Sequence, residues 1–194
     1  MQTWFITGTS SGFGRKLTEK LLERGDRVAA TVRQPSALDD LKSRYAGQLW
    51  VAILDLTEPA AIRRVVDAAF ADLGRIDVVV SNAAYGLFGA AEEVTDAQLR
   101  HQIDTNLLGS IHLIRAALPH LRAQGGGRLL QLSSAGGQTT YPNFSLYHAT
   151  KWGPAPLRLA LGPDTYADVR AALVARLAAL DAQKDLALAA VRPA

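Results

Sequence analysis

The sequence predicts an α/β fold: a doubly wound parallel sheet with helices on both faces, built within a single domain. Three observations lead to this class. Short apolar segments alternate with segments of helical periodicity along the first part of the chain. The apolar segments are almost continuously hydrophobic, which is typical of strands buried on both faces. The length of 194 residues and a hydrophobic content of 48% fit one domain that spans residues 1–194.

The first half of the chain contains four predicted strands and the helices between them. Each strand is a run of apolar, often β-branched residues, and the four runs are residues 3–7, 28–32, 49–54 and 76–80. Each helix repeats its apolar residues at helical spacing and stops near a glycine, at Gly25, Gly47 and Gly74. The second helix is predicted over residues 36–45. Thr57 is the expected N-cap of the third, because its hydroxyl can accept a bond from a free backbone N–H.

The second half begins with a long predicted helix over residues 95–121, which Gly109 and Pro119 are expected to divide or bend. Three glycines at 125–127 form a turn, and residues 128–132 are predicted to be a fifth strand. Two further elements are predicted near the end of the sequence: a sixth strand over 157–161 and an amphipathic helix over 164–183.

Charge and composition exclude several functional classes. The net charge is +3 and the basic residues are scattered, so the dense basic cluster of a nucleic-acid-binding surface is absent. There is no cysteine, which excludes disulfides and thiolate metal sites, and no metal site is predicted. No apolar stretch reaches the ~18–20 residues of a membrane span, and the amino-terminal residues do not resemble a signal peptide. We expect a soluble, cytoplasmic protein without nucleic-acid or membrane partners.

A glycine-rich loop after the first strand is the first candidate for a binding site. Residues 7–14 read Thr-Gly-Thr-Ser-Ser-Gly-Phe-Gly, between a predicted strand and a predicted helix. Such a loop can place backbone N–H groups and a helix N-terminus against a pyrophosphate, which predicts a Rossmann-type fold. The predicted cofactor-binding residues of the loop are Gly8, Ser10, Ser11, Gly12, Phe13 and Gly14. A glycine-rich turn without a ligand is the alternative.

The end of the second strand bears on which dinucleotide binds. About 20 residues beyond the glycine loop, an NAD site usually carries a carboxylate for the ribose 2′-hydroxyl. Here the strand ends Thr31-Val32-Arg33-Gln34 without a carboxylate, and Arg33 stands where a cation could pair with a 2′-phosphate. The sequence therefore favours NADP, with a solvated arginine at a strand end as the alternative.

Tyr147 and Lys151 are the first candidates for catalysis, because residues four apart share one face of a helix. A nearby ammonium favours the phenolate, so it lowers the pKa of a tyrosine from its usual ~10 and allows proton exchange with a substrate oxygen. Ser134 follows the fifth predicted strand, at the end of the sheet where ligands bind in open α/β folds. Its hydroxyl could bind the same oxygen. A surface pair on a helix and a capping hydroxyl are the alternatives.

Taken together, these motifs resemble those of the short-chain dehydrogenase/reductase family. The glycine loop matches the family's Thr-Gly-x3-Gly-x-Gly, and Asp55-Leu56 matches its adenine-contacting pair. Residues 81–84, Ser-Asn-Ala-Ala, resemble its Asn-Asn-Ala-Gly element, with Ala84 in place of the usual glycine. Asn106, Ser134, Tyr147 and Lys151 resemble its active-site set, and Thr31-Val32-Arg33 is similar to NADP-preferring, steroid-dehydrogenase-like members.

The resemblance implies an oxidoreductase that transfers a hydride between NADP or NAD and a small-molecule carbonyl or secondary alcohol. It implies that Tyr147 is the general acid/base and that Lys151 lowers its pKa and holds the nicotinamide ribose. It also implies that Ser134 orients the substrate oxygen and that Asn106 holds a water in a proton relay. Besides the glycine loop, the implied cofactor-binding residues are Arg33, Asp55, Leu56, Asn82, Ala83, Ala84, Tyr147 and Lys151.

The chain departs from the family pattern after Gly153. Pro154 and Pro156 stop a helix soon after Lys151, whereas the family continues with a long helix, another strand and a substrate loop. The sequence reads as if an internal segment were missing at an apparent junction, 153–154. If the full helix exists, we expect an active homodimeric or homotetrameric reductase. If it does not, the alternative is a truncated or non-catalytic dinucleotide-binding protein, such as a sensor or an inactive paralogue.

Overall fold

A computed structural model describes residues 1–152 and places them around a sheet of five parallel strands. The strands are β1 (Thr3–Thr7), β2 (Arg27–Val32), β3 (Leu49–Ile53), β4 (Val78–Ser81) and β5 (Arg128–Gln131). Their order in the sheet is β3-β2-β1-β4-β5. The first five predicted strands are therefore confirmed. The predicted strand 157–161, the predicted helix 164–183 and the junction 153–154 lie outside the described residues.

Six α-helices connect or follow these strands. They are α1 (Gly12–Glu23), α2 (Asp39–Arg44), α3 (Pro59–Leu73), α4 (Asp96–Ile103), α5 (Gly109–Ala123) and α6 (Ser145–Trp152). The helix predicted over 36–45 is a 3₁₀ turn at Pro35–Leu38 that leads into α2. None of the helices within residues 1–152 is both long and apolar enough to cross a membrane.

The connections place helices on both faces of the sheet, as the doubly wound class requires. From β1 to β3 the chain steps towards one edge, and from β3 to β5 it steps towards the other. Right-handed crossovers therefore put α1 and α2 on one face and α3 and α5 on the opposite face. Side chains alternate accordingly: Ile6 joins the core cluster that contains leucines of α1 and α2, while its neighbour Phe5 points to the other face and is also buried.

One local prediction was wrong, and another was confirmed in part. Glu58, not Thr57, is the N-cap of α3, because the Thr57 hydroxyl donates to the Asp55 carboxylate at 2.8 Å. The middle helix is divided next to Gly109, as predicted, by a π-helical segment at Asp104–Leu108, whereas Pro119 lies within the continuous helix α5. Gly109 is the first residue of α5, where a Cβ atom would lie 2.7 Å from the Leu56 Cβ.

Two carboxylates hold the start of β1, the central strand. The Asp26 carboxylate accepts the N–H of Gln2 at 2.8 Å, and the Asp77 carboxylate accepts the N–H of Thr3 at 2.9 Å. Asp26 directly precedes β2, and Asp77 directly precedes β4. The two strands that flank β1 are thus aligned with it at its beginning.

Candidate active site

A cleft of about 770 Å³ opens at the carboxyl ends of the strands. Small-molecule sites usually fall between roughly 300 and 1,000 Å³, and in open α/β sheets they lie where the strand order reverses, here between β1 and β4. The segments that follow all five strands contribute to its lining. It brings together most of the predicted site residues: Gly8, Ser10, Ser11, Gly12, Phe13, Arg33, Asp55, Leu56, Asn82, Ala83, Ala84, Ser134, Tyr147 and Lys151. Gly14 and Asn106 do not line it.

The glycine loop packs directly onto the segment that follows β4. Gly8 has a φ of +70°, and a Cβ atom there would lie 2.8 Å from the Ala83 Cα. A Cβ atom on Gly14 would collide with the Gly8 carbonyl and with the Asn82 amide nitrogen. Both positions therefore require glycine, one for its backbone conformation and close packing and the other for close packing alone. The loop brings the N-terminus of α1 to the cleft, and the side chain of the N-cap residue Ser11 does not cap it.

Asn82 fixes this arrangement with its amide group. Its Nδ2 donates to the Thr7 carbonyl at 2.8 Å and to the Gly8 carbonyl at 3.1 Å. The backbone N–H groups of Asn82 and Ala83 donate to the Thr7 hydroxyl at 3.0 and 3.1 Å. Asn82 lies in the cleft wall, but its described side-chain N–H bonds are made to the glycine loop and not into the cleft.

One end of the cleft carries Arg33 and Asp55. Asp55 accepts the backbone N–H of Thr57 at 2.9 Å and the Thr57 hydroxyl at 2.8 Å. These bonds, followed by the charges of Arg33 and His101, hold the pKa of the Asp55 carboxyl below its usual value despite partial burial. Arg33 is exposed, and within residues 1–152 no hydrogen bond or ion pair engages it. Arg15, by contrast, is bound to Glu19 at 2.7 Å and also to Asp40.

The opposite end of the cleft carries Tyr147, Lys151 and Ser134. Lys151 is 4% exposed. Its Nζ donates to the Leu132 carbonyl at 3.1 Å, and the same Nζ lies 5.7 Å from the centre of the Tyr147 ring. Burial lowers the pKa of Lys151. The Ser134 hydroxyl oxygen accepts the N–H of Gly136 at 3.1 Å, which leaves its own proton for a further acceptor. Tyr147 and Lys151 both lie on α6, which is the helix predicted to carry them.

Asn106 lies behind the cleft in the π-helical segment, where it is 1% exposed. Its Oδ1 accepts the N–H of Tyr85 at 3.0 Å, and its Nδ2 donates to the Tyr85 carbonyl at 2.7 Å. Nδ2 also donates to the Thr150 hydroxyl at 3.1 Å. Asn106 therefore joins the segment after β4 to α6, and its part in a water relay stays a prediction.

The sequence analysis missed nine lining residues. Six lie at or just beyond the ends of strands: Thr7, Thr31, Val32, Leu54, Leu132 and Ser133. The other three are Tyr85, His101 and Thr105. The rings of Tyr85 and His101 lie 5.4 Å apart, and burial raises the pKa of the Tyr85 phenol. The hydroxyl oxygen of Thr105 is buried without a hydrogen-bond partner in the part of the chain that the structure describes. Tyr85 directly follows Ala84 and Thr105 directly precedes Asn106 in the sequence, which is the signal that could have identified these two residues. Across the described residues, no group of three or more His, Asp or Glu side chains is placed to hold a metal ion.

Comparison with known sequences identifies related proteins. Residues 2–176 match the family model described as short chain dehydrogenase. The chain is 37% identical over 150 residues to the oxidoreductase BOA17 of Botryotinia fuckeliana, an alignment that covers 77% of this chain and 55% of that protein. The chain spans about half the length of the first curated relatives that it matches.

Solved structures show the same likeness. A short-chain dehydrogenase from Streptomyces avermitilis matches with a TM-score of 0.78 and 39% identity, over 81% of this chain and 59% of that one. A metagenomic short-chain oxidoreductase in complex with NADP matches with a TM-score of 0.76 and 31% identity, over 82% of this chain and 74% of that one.

Proposed function

The chain belongs to the short-chain dehydrogenase/reductase family, and from this premise we propose that it is an NADP-preferring oxidoreductase. Its substrates would be small molecules that carry a carbonyl or a secondary hydroxyl group. The observation that carries the proposal is the layout of the cleft. A glycine loop and a helix N-terminus line one part of it, and Ser134, Tyr147 and Lys151 meet at its far end.

The residues of the cleft fit a nicotinamide dinucleotide. The glycine loop and the free N-terminus of α1 would hold the pyrophosphate. Asp55 and Leu56 would contact the adenine, Lys151 would hold the nicotinamide ribose, and Tyr147 would lie beside that ribose with its phenol oxygen free for the substrate. When bound, the cofactor supplies or accepts the hydride.

The side chains of the chain itself would manage the proton and the substrate oxygen. Ser134, whose oxygen already accepts a bond from Gly136, would donate its proton to the substrate oxygen and so orient it. Tyr147 would donate its phenolic proton to that oxygen during reduction and take it back during oxidation. The Lys151 ammonium would favour the phenolate of Tyr147, because an opposite charge nearby stabilises the ionised form.

The preference for NADP rests on the end of β2. No carboxylate follows Val32 there, and the exposed Arg33 lines the cleft. A guanidinium pairs well with a phosphate, and the metagenomic relative holds NADP in its structure. The proposal extends to residues 1–194 acting as one domain, to a cytoplasmic location and, if the full family helix follows Lys151, to a homodimer or homotetramer.

Turnover and cofactor binding can be measured separately. The purified chain should consume NADPH in the presence of a panel of aldehydes and ketones. Tyr147→Phe should reduce this rate by at least roughly 1,000-fold, because the phenol proton is lost, while the Kd for NADPH changes by less than about twofold. If Tyr147→Phe retains substantial activity, the catalytic assignment is wrong.

The alternative is a non-catalytic dinucleotide-binding protein. The observation in its favour is that the sequence departs from the family pattern after Gly153, where Pro154 and Pro156 closely follow Lys151. It predicts saturable NADPH binding with no turnover of any carbonyl in the panel. A wild-type chain that binds NADPH and reduces at least one substrate excludes it.

A further inference from the structure

His148 is buried beside Tyr147, with 4% of its surface exposed, and the proposed chemistry does not use it. Both ring nitrogens are engaged. Nδ1 lies 2.7 Å from the Gly136 carbonyl oxygen, and Nε2 accepts the backbone N–H of Tyr141 at 2.9 Å. Because a carbonyl only accepts and a backbone N–H only donates, these partners make Nδ1 the donor and Nε2 the acceptor of the ring.

The partner of Nδ1 belongs to the short turn that carries Ser134. That turn is the 3₁₀ segment Ala135–Gly137, and Ser134 is its N-cap. Within it, the N–H of Gly136 donates to the Ser134 hydroxyl oxygen, while the Gly136 carbonyl faces His148. Gly136 therefore links the two side chains: its N–H binds the Ser134 hydroxyl, and its carbonyl binds His148 on α6.

The turn and the helix fit closely. A Cβ atom on Gly136 would lie 2.8 Å from the His148 Nδ1 and 3.2 Å from the Tyr147 Cε1. The ring of Phe144, the residue before α6, stacks on Tyr147 with the ring centres 4.3 Å apart. The plane of the phenol is therefore fixed by Phe144, and the distance from α6 to the Ser134 turn is fixed through His148.

We propose that His148 is a positioning residue that sets the relative placement of the Ser134 and Tyr147 hydroxyls. This inference rests on the proposed function, in which both hydroxyls must reach one substrate oxygen. The two hydroxyls lie on separate segments, the loop after β5 and the helix α6. A displacement of about 1 Å in such a pair costs roughly 100-fold in rate. The bond from Nδ1 to the Gly136 carbonyl joins the turn of Ser134 to α6, in addition to the bond from the Lys151 Nζ to the Leu132 carbonyl.

Two amide substitutions each keep one of the two hydrogen bonds of His148 and remove the other. In His148→Asn, the side-chain Nδ2 can replace Nδ1 and donate to the Gly136 carbonyl. In His148→Gln, the longer side chain can replace Nε2 and accept from Tyr141, but it leaves Gly136 without its donor. We expect kcat to be at least about tenfold higher in His148→Asn than in His148→Gln, with the Kd for NADPH equal to that of the wild type in both.

His120→Leu is the matched control. His120 also makes a close bond, to Asp67 at 2.6 Å, and stacks on Phe70 with ring centres 4.5 Å apart, but it lies on α5 and does not line the cleft. We expect this variant to lose stability and to keep its kcat. Equal kcat values for His148→Asn and His148→Gln, or a wild-type kcat for His148→Gln, would overturn the inference.

A second measurement does not depend on turnover. Hydrogen exchange of the Gly136 amide, followed by NMR, reports on the bond between that N–H and the Ser134 hydroxyl. We expect His148→Gln to speed this exchange by about tenfold and His148→Asn and His120→Leu to leave it near the wild-type rate. Unchanged exchange in His148→Gln refutes the positioning role. A wild-type chain without turnover, in contrast, refutes only the proposed function, since the exchange measurement still decides the inference.

Discussion

At the scale of single residues, Lys151 is proposed both to hold the nicotinamide ribose and to favour the phenolate of Tyr147. Its ammonium is buried, is held on the Leu132 carbonyl and lies beside the phenol. Lys151→Ala should therefore weaken NADPH binding by about 10- to 150-fold, the range expected for a lost charge-assisted bond, and should also lower kcat. Isothermal titration and steady-state kinetics measure the two losses. A variant with normal NADPH affinity would contradict the proposed contact with the ribose.

The lowered pKa of Lys151 predicts how kcat/KM changes with pH. Burial lowers the pKa of Lys151, so the ammonium loses its proton at a lower pH than an exposed lysine would. If the reaction needs this charge, kcat/KM should fall on the alkaline side before the usual lysine value of ~10.4 is reached. A pH profile of the wild type tests this. A plateau that continues beyond that value would show that the charge is dispensable.

Arg33 is the residue on which cofactor choice should depend. Arg33→Asp replaces the cation that faces the cleft with the carboxylate that a 2′-hydroxyl site uses. The preference for NADPH over NADH should reverse, since a charge-assisted pair with phosphate contributes about 1.5–3 kcal/mol. The control is Arg63→Asp on α3, which is also exposed and does not line the cleft. Equal affinity of the wild type for both cofactors would refute the assignment.

At the scale of elements, local sequence patterns predicted the strands well and the interruptions poorly. The runs that became β1 to β5 are short and mostly apolar, and those of β1 to β4 contain β-branched residues, so each segment favours a strand on its own. The π-helical segment depends instead on Asn106 pairing with the backbone of Tyr85 and with Thr150, residues that are far away in sequence. The contact between His148 and Gly136 is equally non-local. Neither could be inferred from spacing.

The start of β1 yields a prediction about stability. Burial alone would raise the pKa of Asp26, but the bond from the Gln2 N–H and the Arg24 guanidinium together hold it below its usual value. A carboxyl with a lowered pKa stabilises the fold above its unfolded pKa of ~3.9, and this contribution is lost as the pH falls through the folded value. Asp26→Asn should lower the free energy of unfolding near neutral pH by about 1–2 kcal/mol and flatten its decline in acid.

Urea unfolding at neutral and acidic pH measures both effects of Asp26→Asn. The control is Asp39→Asn, because Asp39 is exposed and pairs only with Lys42 at 3.2 Å among the described contacts. A surface pair of this kind contributes at most about 1 kcal/mol. If the two variants lose the same stability at neutral pH, the carboxylate at the start of β1 has no special role.

At the scale of the whole molecule, the cleft draws on the segments after all five strands, so a bound dinucleotide would connect them. A ligand that binds only the folded chain stabilises it, by about 2.7 kcal/mol at 100 times its Kd. NADPH should therefore raise the Tm, and NADH should need a higher concentration for the same shift. Thermal unfolding monitored by circular dichroism tests this. An unchanged Tm at saturating NADPH would argue against a dinucleotide site.

The position of β1 between β2 and β4 also determines when its two edges can pair while the chain is still being synthesised. Phe5 pairs with Ala29 on one side and with Val79 on the other. After β2 has been synthesised, the second edge of β1 therefore stays unpaired until about 50 further residues have emerged and β4 is available. At roughly 5–20 residues per second, this edge stays open for several seconds of translation. An open, apolar strand edge is a template for wrong pairing. The nascent chain should therefore depend most on chaperones during the interval between the synthesis of β2 and that of β4.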